Sequence, residues 1–115
     1  MGSSEIEQQL LARRSELLAG LAAARRELEG VRDARADATA DDEHDPEGST
    51  LSGDWSRIVG LQTAAEAQLD EVQRALERLA AGTYGVCVTC GRRIPVERLR
   101  ARPAADRCVT CASVA

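Results

Sequence analysis

Two long stretches of this chain place apolar or small residues at alternating spacings of three and four, and the two stretches mirror each other. A 3–4 spacing kept up over residues 5–39 and again over residues 51–81, without proline, is typical of a coiled-coil seam. The seam positions are Leu10, Leu17, Leu21, Ala24, Leu28, Val31 and Ala38 in the first stretch, and Leu51, Trp55, Ile58, Ala65, Leu69, Val72, Leu76 and Leu79 in the second.

The mirror symmetry predicts that one chain folds back on itself. Seam pairs such as Leu17 with Val72 have residue numbers that add to 89, and pairs such as Arg35 with Trp55 add to 90. An antiparallel hairpin requires such a relation, and its turn would centre near Asp45. A parallel dimer of long helices and a bundle made by two chains are the alternatives. The symmetry favours the hairpin within one chain, and we expect a monomer.

The four cysteines of the chain form two Cys-x-x-Cys pairs separated by seventeen residues. Each pair can direct two thiolates at one point, and two pairs complete the tetrahedron of a structural zinc site. Disulfides would suit a short secreted domain, but the first residues are polar and show no apolar signal segment. A thioredoxin-like redox pair would need a βαβ pattern, which is absent. We therefore expect one zinc ion, bound by Cys87, Cys90, Cys108 and Cys111, in a cytoplasmic protein.

Composition agrees with thin helical packing. The only aromatic residues of the 115 are Trp55 and Tyr84, so the chain cannot build a thick core, and zinc would stabilise the small C-terminal part. No apolar run approaches the roughly 20 residues needed to span a membrane. Residues 1–81 carry 17 acidic residues against 9 arginines, which argues against binding of nucleic acid by the whole chain.

The segment between the two stretches, residues 40–50, is strongly acidic. Pro46 and Gly48 interrupt a helix, and Ser49 or Thr50 can cap the second one. Five of the seven residues 41–47 are Asp or Glu. This tip can be a solvated loop, a calcium-like cation site, or a probe that reaches into a basic cavity; the pattern leaves all three open.

Residues 82–115 resemble a known family. Gly82 is suited to end a helix, Gly91 to form the turn after a cysteine pair, and Pro95 to begin a short helix through Arg100. The pattern Gly-x-Tyr-Gly-x-Cys-x-x-Cys-Gly from residue 82, then Ile-Pro-x-x-Arg-Leu from residue 94, Pro103 and the second cysteine pair resemble the DksA/TraR C4 zinc-finger proteins.

The resemblance implies a function. In that family the coiled coil enters the secondary channel of bacterial RNA polymerase, and acidic tip residues act near the active centre without reading DNA sequence. Asp45-Pro46 is similar to the family's Asp-Pro tip, and Asp42 stands three residues earlier, as in its Asp-x-x-Asp pattern. Glu47 departs, because strongly active members carry a small apolar residue there. The expected partner-binding residues of the tip are Asp42, Glu43, Asp45 and Glu47.

The sequence thus predicts an all-α protein with two parts. Residues 1–81 form a long antiparallel coiled-coil hairpin with its tip at 40–50, and residues 82–115 form a small C4 zinc finger. We expect a transcription regulator that binds RNA polymerase, and no enzyme, because no nucleophile–base pair or phosphate loop is present. The alternative is a zinc-ribbon adaptor that binds protein or nucleic acid through the arginines of its C-terminal part. These are Arg92, Arg93, Arg98, Arg100, Arg102 and Arg107.

Overall fold

The computed structural model describes residues 2–41 and 47–114, with side chains from 2–37 and 52–114. The described residues contain no β-strand, only an isolated antiparallel bridge between Val86 and Arg93. The all-α prediction is therefore confirmed. The helices are α1 (Ser3–Asp41), α2 (Glu47–Ala81), α3 (Val96–Ala101) and α4 (Val109–Ser113).

The chain divides into two compact units. The first unit combines Met1–Glu16 with Gln68–Ala115, and the second unit is Leu17–Ala67. Each unit therefore contains a segment of α1 and a segment of α2. The predicted boundary between two domains at residue 81 does not coincide with the boundaries of these units, and the two-domain division stays a prediction.

In the first unit, the segments of α1 and α2 pack through a small apolar core. Ile6, Leu10, Val72 and Ala75 are buried there. At the edge of this core, the Arg13 guanidinium donates a hydrogen bond to the Gln68 side-chain carbonyl. Leu10 and Val72 are predicted seam positions. Ile6 and Ala75 are not: Ile6 lies one turn before Leu10 and begins the apolar face earlier than the repeat indicates.

In the second unit, the two helical segments are more thinly packed. Among its described side chains, only Leu17 and Ile58 are buried, and both are predicted seam residues. Charged side chains connect the helices across the edges of the seam. Arg57 forms an ion pair with Glu27 at 3.7 Å.

Trp55 lies beneath the side chain of Arg32. The Arg32 guanidinium carbon lies 5.8 Å from the centre of the Trp55 ring, within the range of a cation–π contact. Arg32 lies three residues before Arg35, close to the same face of α1. The expected nearness of Arg35 to this ring stays a prediction. The exact facing pairs, such as Leu17 with Val72, stay predictions.

The two long helices extend further into the segment of residues 40–50 than the sequence indicated. Helix α1 continues to Asp41, and α2 begins at Glu47, so Gly48, Ser49 and Thr50 lie in its first turn rather than before it. First-turn residues have backbone N–H groups without helical partners, so weak helix formers cost little there. Within the described ranges, no helix is long and apolar enough to cross a membrane.

Candidate metal centre

The zinc module, residues 82–115, begins where α2 ends. Gly82 has a φ of 78°, the left-handed conformation that favours glycine. This conformation lets the Thr83 N–H donate to the Arg78 carbonyl at 2.9 Å, an arrangement that satisfies a carbonyl at the end of the helix. The predicted role of Gly82 as a helix cap is confirmed, and it directs the chain from α2 into the first cysteine pair.

The first cysteine pair lies on a tight backbone turn. The Gly91 N–H donates to the Cys87 carbonyl at 2.9 Å, and the Cys87 N–H donates to the Arg92 carbonyl at 2.8 Å. Gly91 has a φ of 74°, which a side chain would disfavour. The Ile94 N–H donates to the Gly85 carbonyl at 2.8 Å and extends this pairing by one step. Together these bonds fix Cys87 and Cys90 on one small backbone loop.

The second cysteine pair lies at the start of α4, a helix that the sequence did not predict. Cys108 is the residue before its first turn, and Cys111 lies within it. The chain before it is held to the first pair by the Val88 N–H, which donates to the Asp106 carbonyl at 2.9 Å. The Arg98 side chain of α3 donates to the Arg107 carbonyl at 2.7 Å. These contacts bring the second pair next to the first.

The protein core of the module is very small. Its buried residues are Cys87, Ile94 and Leu99, with Tyr84 and Ala105 packed against them. The Tyr84 hydroxyl donates to the Pro103 carbonyl at 2.7 Å. Burial raises the pKa of Tyr84, an effect that nearby Arg78 partly offsets. Since three buried side chains cannot hold a module of this size, most of its stability must come from a bound metal.

The four cysteine sulfurs fit one zinc ion. All four lie within 4.8 Å of one another. The Cys90 and Cys108 sulfurs are 3.9 Å apart, close to the edge of about 3.8 Å in a tetrahedron with Zn–S distances of about 2.3 Å. A disulfide would require about 2.05 Å, and all four cysteines are free. The predicted zinc site is confirmed. Four thiolates leave no open coordination position, so the zinc is structural.

Local hydrogen bonds shift the pKa values of these thiols in different directions. The Cys90 N–H, 3.5 Å from the Cys87 sulfur, is the main reason that the pKa of Cys87 is lowered to about 6. The backbone N–H of Cys111 likewise lowers the pKa of Cys108. The pKa of Cys111 is raised to about 12, chiefly by the side-chain hydrogen bond between Cys111 and Cys108. In the metal-free site, Cys87 is therefore a thiolate near neutral pH, and Cys111 keeps its proton until zinc displaces it.

An open groove of about 950 Å³ runs along the first unit between the helical segments and the zinc module. Arginines from both sides line it, among them Arg78, whose Nε and Nη2 atoms are buried without a hydrogen-bond partner. An arginine-lined groove of this kind is suited to an anionic group. From the sequence only the arginines of the zinc module are recognisable as a group, because Arg13, Arg74 and Arg78 lie on the long helices and join them only in the fold.

The side chains of the predicted tip site lie outside the part of the chain that the structure describes. Asp42, Glu43 and Asp45 lie outside the described residues. Glu47 begins α2, and its side chain lies outside them as well. Their role stays a prediction.

Comparison with known proteins connects this metal centre to a family. The sequence profile of the prokaryotic dksA/traR C4-type zinc finger matches residues 82–115. General stress protein 16O of Bacillus subtilis is 40% identical over 62 residues, which cover 54% of this chain and 38% of that protein. The RNA polymerase-binding transcription factor DksA of Haemophilus influenzae is 36% identical over 47 residues, covering 41% of this chain and 32% of that protein. The matched stretch thus spans less than two fifths of either relative.

The resemblance in three dimensions extends further than the resemblance in sequence. The structure of transcription factor DksA2 from Pseudomonas aeruginosa superposes with a TM-score of 0.79 at 26% identity. The match covers 96% of this chain and 79% of that one, so it includes the helices as well as the zinc module. Residues 82–115, with their four clustered cysteines, thus match the C4-type zinc finger of the dksA/traR family, and the chain is similar in structure to DksA2 over 96% of its length.

Proposed function

We propose that this protein is a transcription regulator that binds bacterial RNA polymerase directly and inserts its acidic-tipped coiled coil into the secondary channel. The match to DksA2 over 96% of the chain carries the proposal, because it extends the similarity from the zinc module to both long helices. A relative that matches 41% of this chain is named as an RNA polymerase-binding transcription factor. A cytoplasmic location follows from the same proposal.

The chemistry of the chain fits a protein that acts by position and charge. The zinc is closed to substrates by four thiolates, so it holds the module together and performs no catalysis. Residues 41–47 carry five carboxylates in seven positions. Placed in a basic cavity, such a cluster would attract cationic side chains or a bound metal ion. In this division of work, the helices and the zinc module provide contact area, and the tip provides charge.

Asp45→Ala tests the proposal. We expect this variant to keep its zinc, its helicity and most of its polymerase binding, yet to lose its effect on transcription. Asp42→Ala should show a weaker form of the same loss. Asp33→Ala is the matched control, because Asp33 is an exposed carboxylate on α1 away from the tip, and it should regulate like the parent. The measurements are in-vitro transcription with bacterial RNA polymerase and, beside it, a binding assay with the same enzyme.

Two outcomes would count against the proposal. An Asp45→Ala protein that regulates as well as the parent would remove the tip from the mechanism and leave the solvated-loop interpretation. A parent protein without affinity for polymerase would favour the adaptor alternative. That alternative also expects binding to duplex DNA in the absence of polymerase, with an affinity that falls steeply as salt increases.

A further inference from the structure

The second unit, Leu17–Ala67, holds all the glycines found inside the two long helices beyond their first turns. They are Gly20, Gly30, Gly53 and Gly60. The helical segments of the first unit, residues 3–16 and 68–81, contain no glycine at all. A glycine inside a helix makes that helix less stable than alanine would, since the unfolded chain loses more freedom on folding.

None of these four glycines is needed for packing. A Cβ atom added at any of them would meet nothing within 4 Å, and none has the positive φ that favours glycine. Alanine would fit at each position without displacing a neighbour. No close approach of the helices therefore explains the glycines, and what remains is their effect on helix stability.

Burial follows the same division. Of the nine apolar residues that are buried among the described side chains, seven lie in the first unit: Ile6, Leu10, Val72, Ala75, Cys87, Ile94 and Leu99. The second unit contributes Leu17 and Ile58 from its described side chains. The ion pair between its two helical segments lies at the surface. The Arg57–Glu27 pair is more than half exposed on both sides, and exposed ion pairs add little stability.

We propose that the second unit is a separate opening unit, which unfolds locally while the first unit and its zinc module stay folded. Few buried apolar contacts and weak helix formers are the features that give a region a low opening free energy. Both features occur among the described residues of the second unit, whereas the helical segments of the first unit contain four buried apolar residues and no glycine. The two helical segments of the second unit depend on each other for burial, so they open together.

Amide hydrogen exchange of the zinc-loaded protein tests this proposal, with Gly30→Ala as the variant. In the parent, amides of residues 52–67 should exchange faster than those of residues 68–80, although both belong to α2. Gly30→Ala should slow exchange at residues 52–67, on the other helix, by about five-fold, equivalent to about 1 kcal/mol. The Cys87 and Ile94 amides, which are hydrogen-bonded inside the zinc module, should keep their parent rates.

Glu7→Ala in the first unit is the control, because Glu7 is exposed on α1 and lies outside the second unit. It should leave exchange at residues 52–67 unchanged. An equal slowing of the Cys87 amide by Gly30→Ala would show that the protein opens as a single unit, and the proposal would be wrong. A slowing confined to the turn around residue 30 would mean independent fraying of each helix, which would overturn it equally.

Discussion

Leu17 and Leu18 are neighbours of the same chemistry, and the seam predicts opposite consequences for them. Leu17 is 6% exposed and Leu18 is 50% exposed. Truncation to alanine removes three carbon atoms, each worth about 0.8 kcal/mol when buried. For Leu17 almost the whole amount is lost, and part of a cavity remains, so Leu17→Ala should cost about 2–3 kcal/mol. For Leu18 half is lost, and the better helix propensity of alanine offsets some of it, which leaves about 1 kcal/mol or less.

Urea unfolding followed by helical ellipticity, at saturating zinc, measures both costs. The midpoint of unfolding should fall clearly for Leu17→Ala and barely for Leu18→Ala, with similar slopes. Because each variant removes the same atoms from adjacent positions of one helix, changes in the unfolded state cancel between them. Equal costs, or a larger cost for Leu18→Ala, would show that the apolar seam of α1 is assigned to the wrong face.

Three further predictions concern the zinc module. Cys108→Ser should release zinc and unfold residues 82–115 while most helical ellipticity remains; metal analysis and circular dichroism check this, and a full loss of helicity would contradict it. Between pH 7 and 8, zinc affinity should rise by about tenfold per pH unit for each thiol proton that zinc displaces, because the thiolate is the form that binds the metal. Cys111, with its pKa raised to about 12, must give up such a proton. Cys87, with its pKa lowered to about 6, should add to this pH dependence only below about pH 6. Zinc affinity is measured by competition with a chelator at several pH values, and an affinity that does not change between pH 7 and 8 would disprove the reasoning. Tyr84→Phe removes the hydrogen bond to the Pro103 carbonyl and should weaken the module by about 1 kcal/mol, seen as easier loss of zinc to the same chelator.

The zinc site could be predicted because few arrangements satisfy two Cys-x-x-Cys pairs at this spacing. The long helices could be predicted because the 3–4 repeat persists over many turns. Buried Ala75 could not, since the chain contains many alanines and nothing in the pattern distinguishes this one. Helix α4 was missed because its five residues are organised by the second cysteine pair and not by apolar spacing.

The contact of Arg32 with Trp55 could not be predicted from the seam. A seam register states which backbone positions are level, whereas a long arginine side chain can reach a ring from a neighbouring turn. The groove shows the same limit: its arginines lie far apart in sequence and become neighbours only when the chain ends fold together.

The first unit is assembled from both ends of the sequence, residues 1–16 and 68–115, and this has a consequence for biosynthesis. A ribosome completes the second unit first, but that unit contains few buried residues. The first sixteen residues must wait for their packing partners Val72 and Ala75, and the zinc site lacks its last ligand until Cys111 has left the exit tunnel. The nascent chain thus gains the stable structure of its first unit only after Cys111 has been synthesised, not progressively as the two long helices emerge.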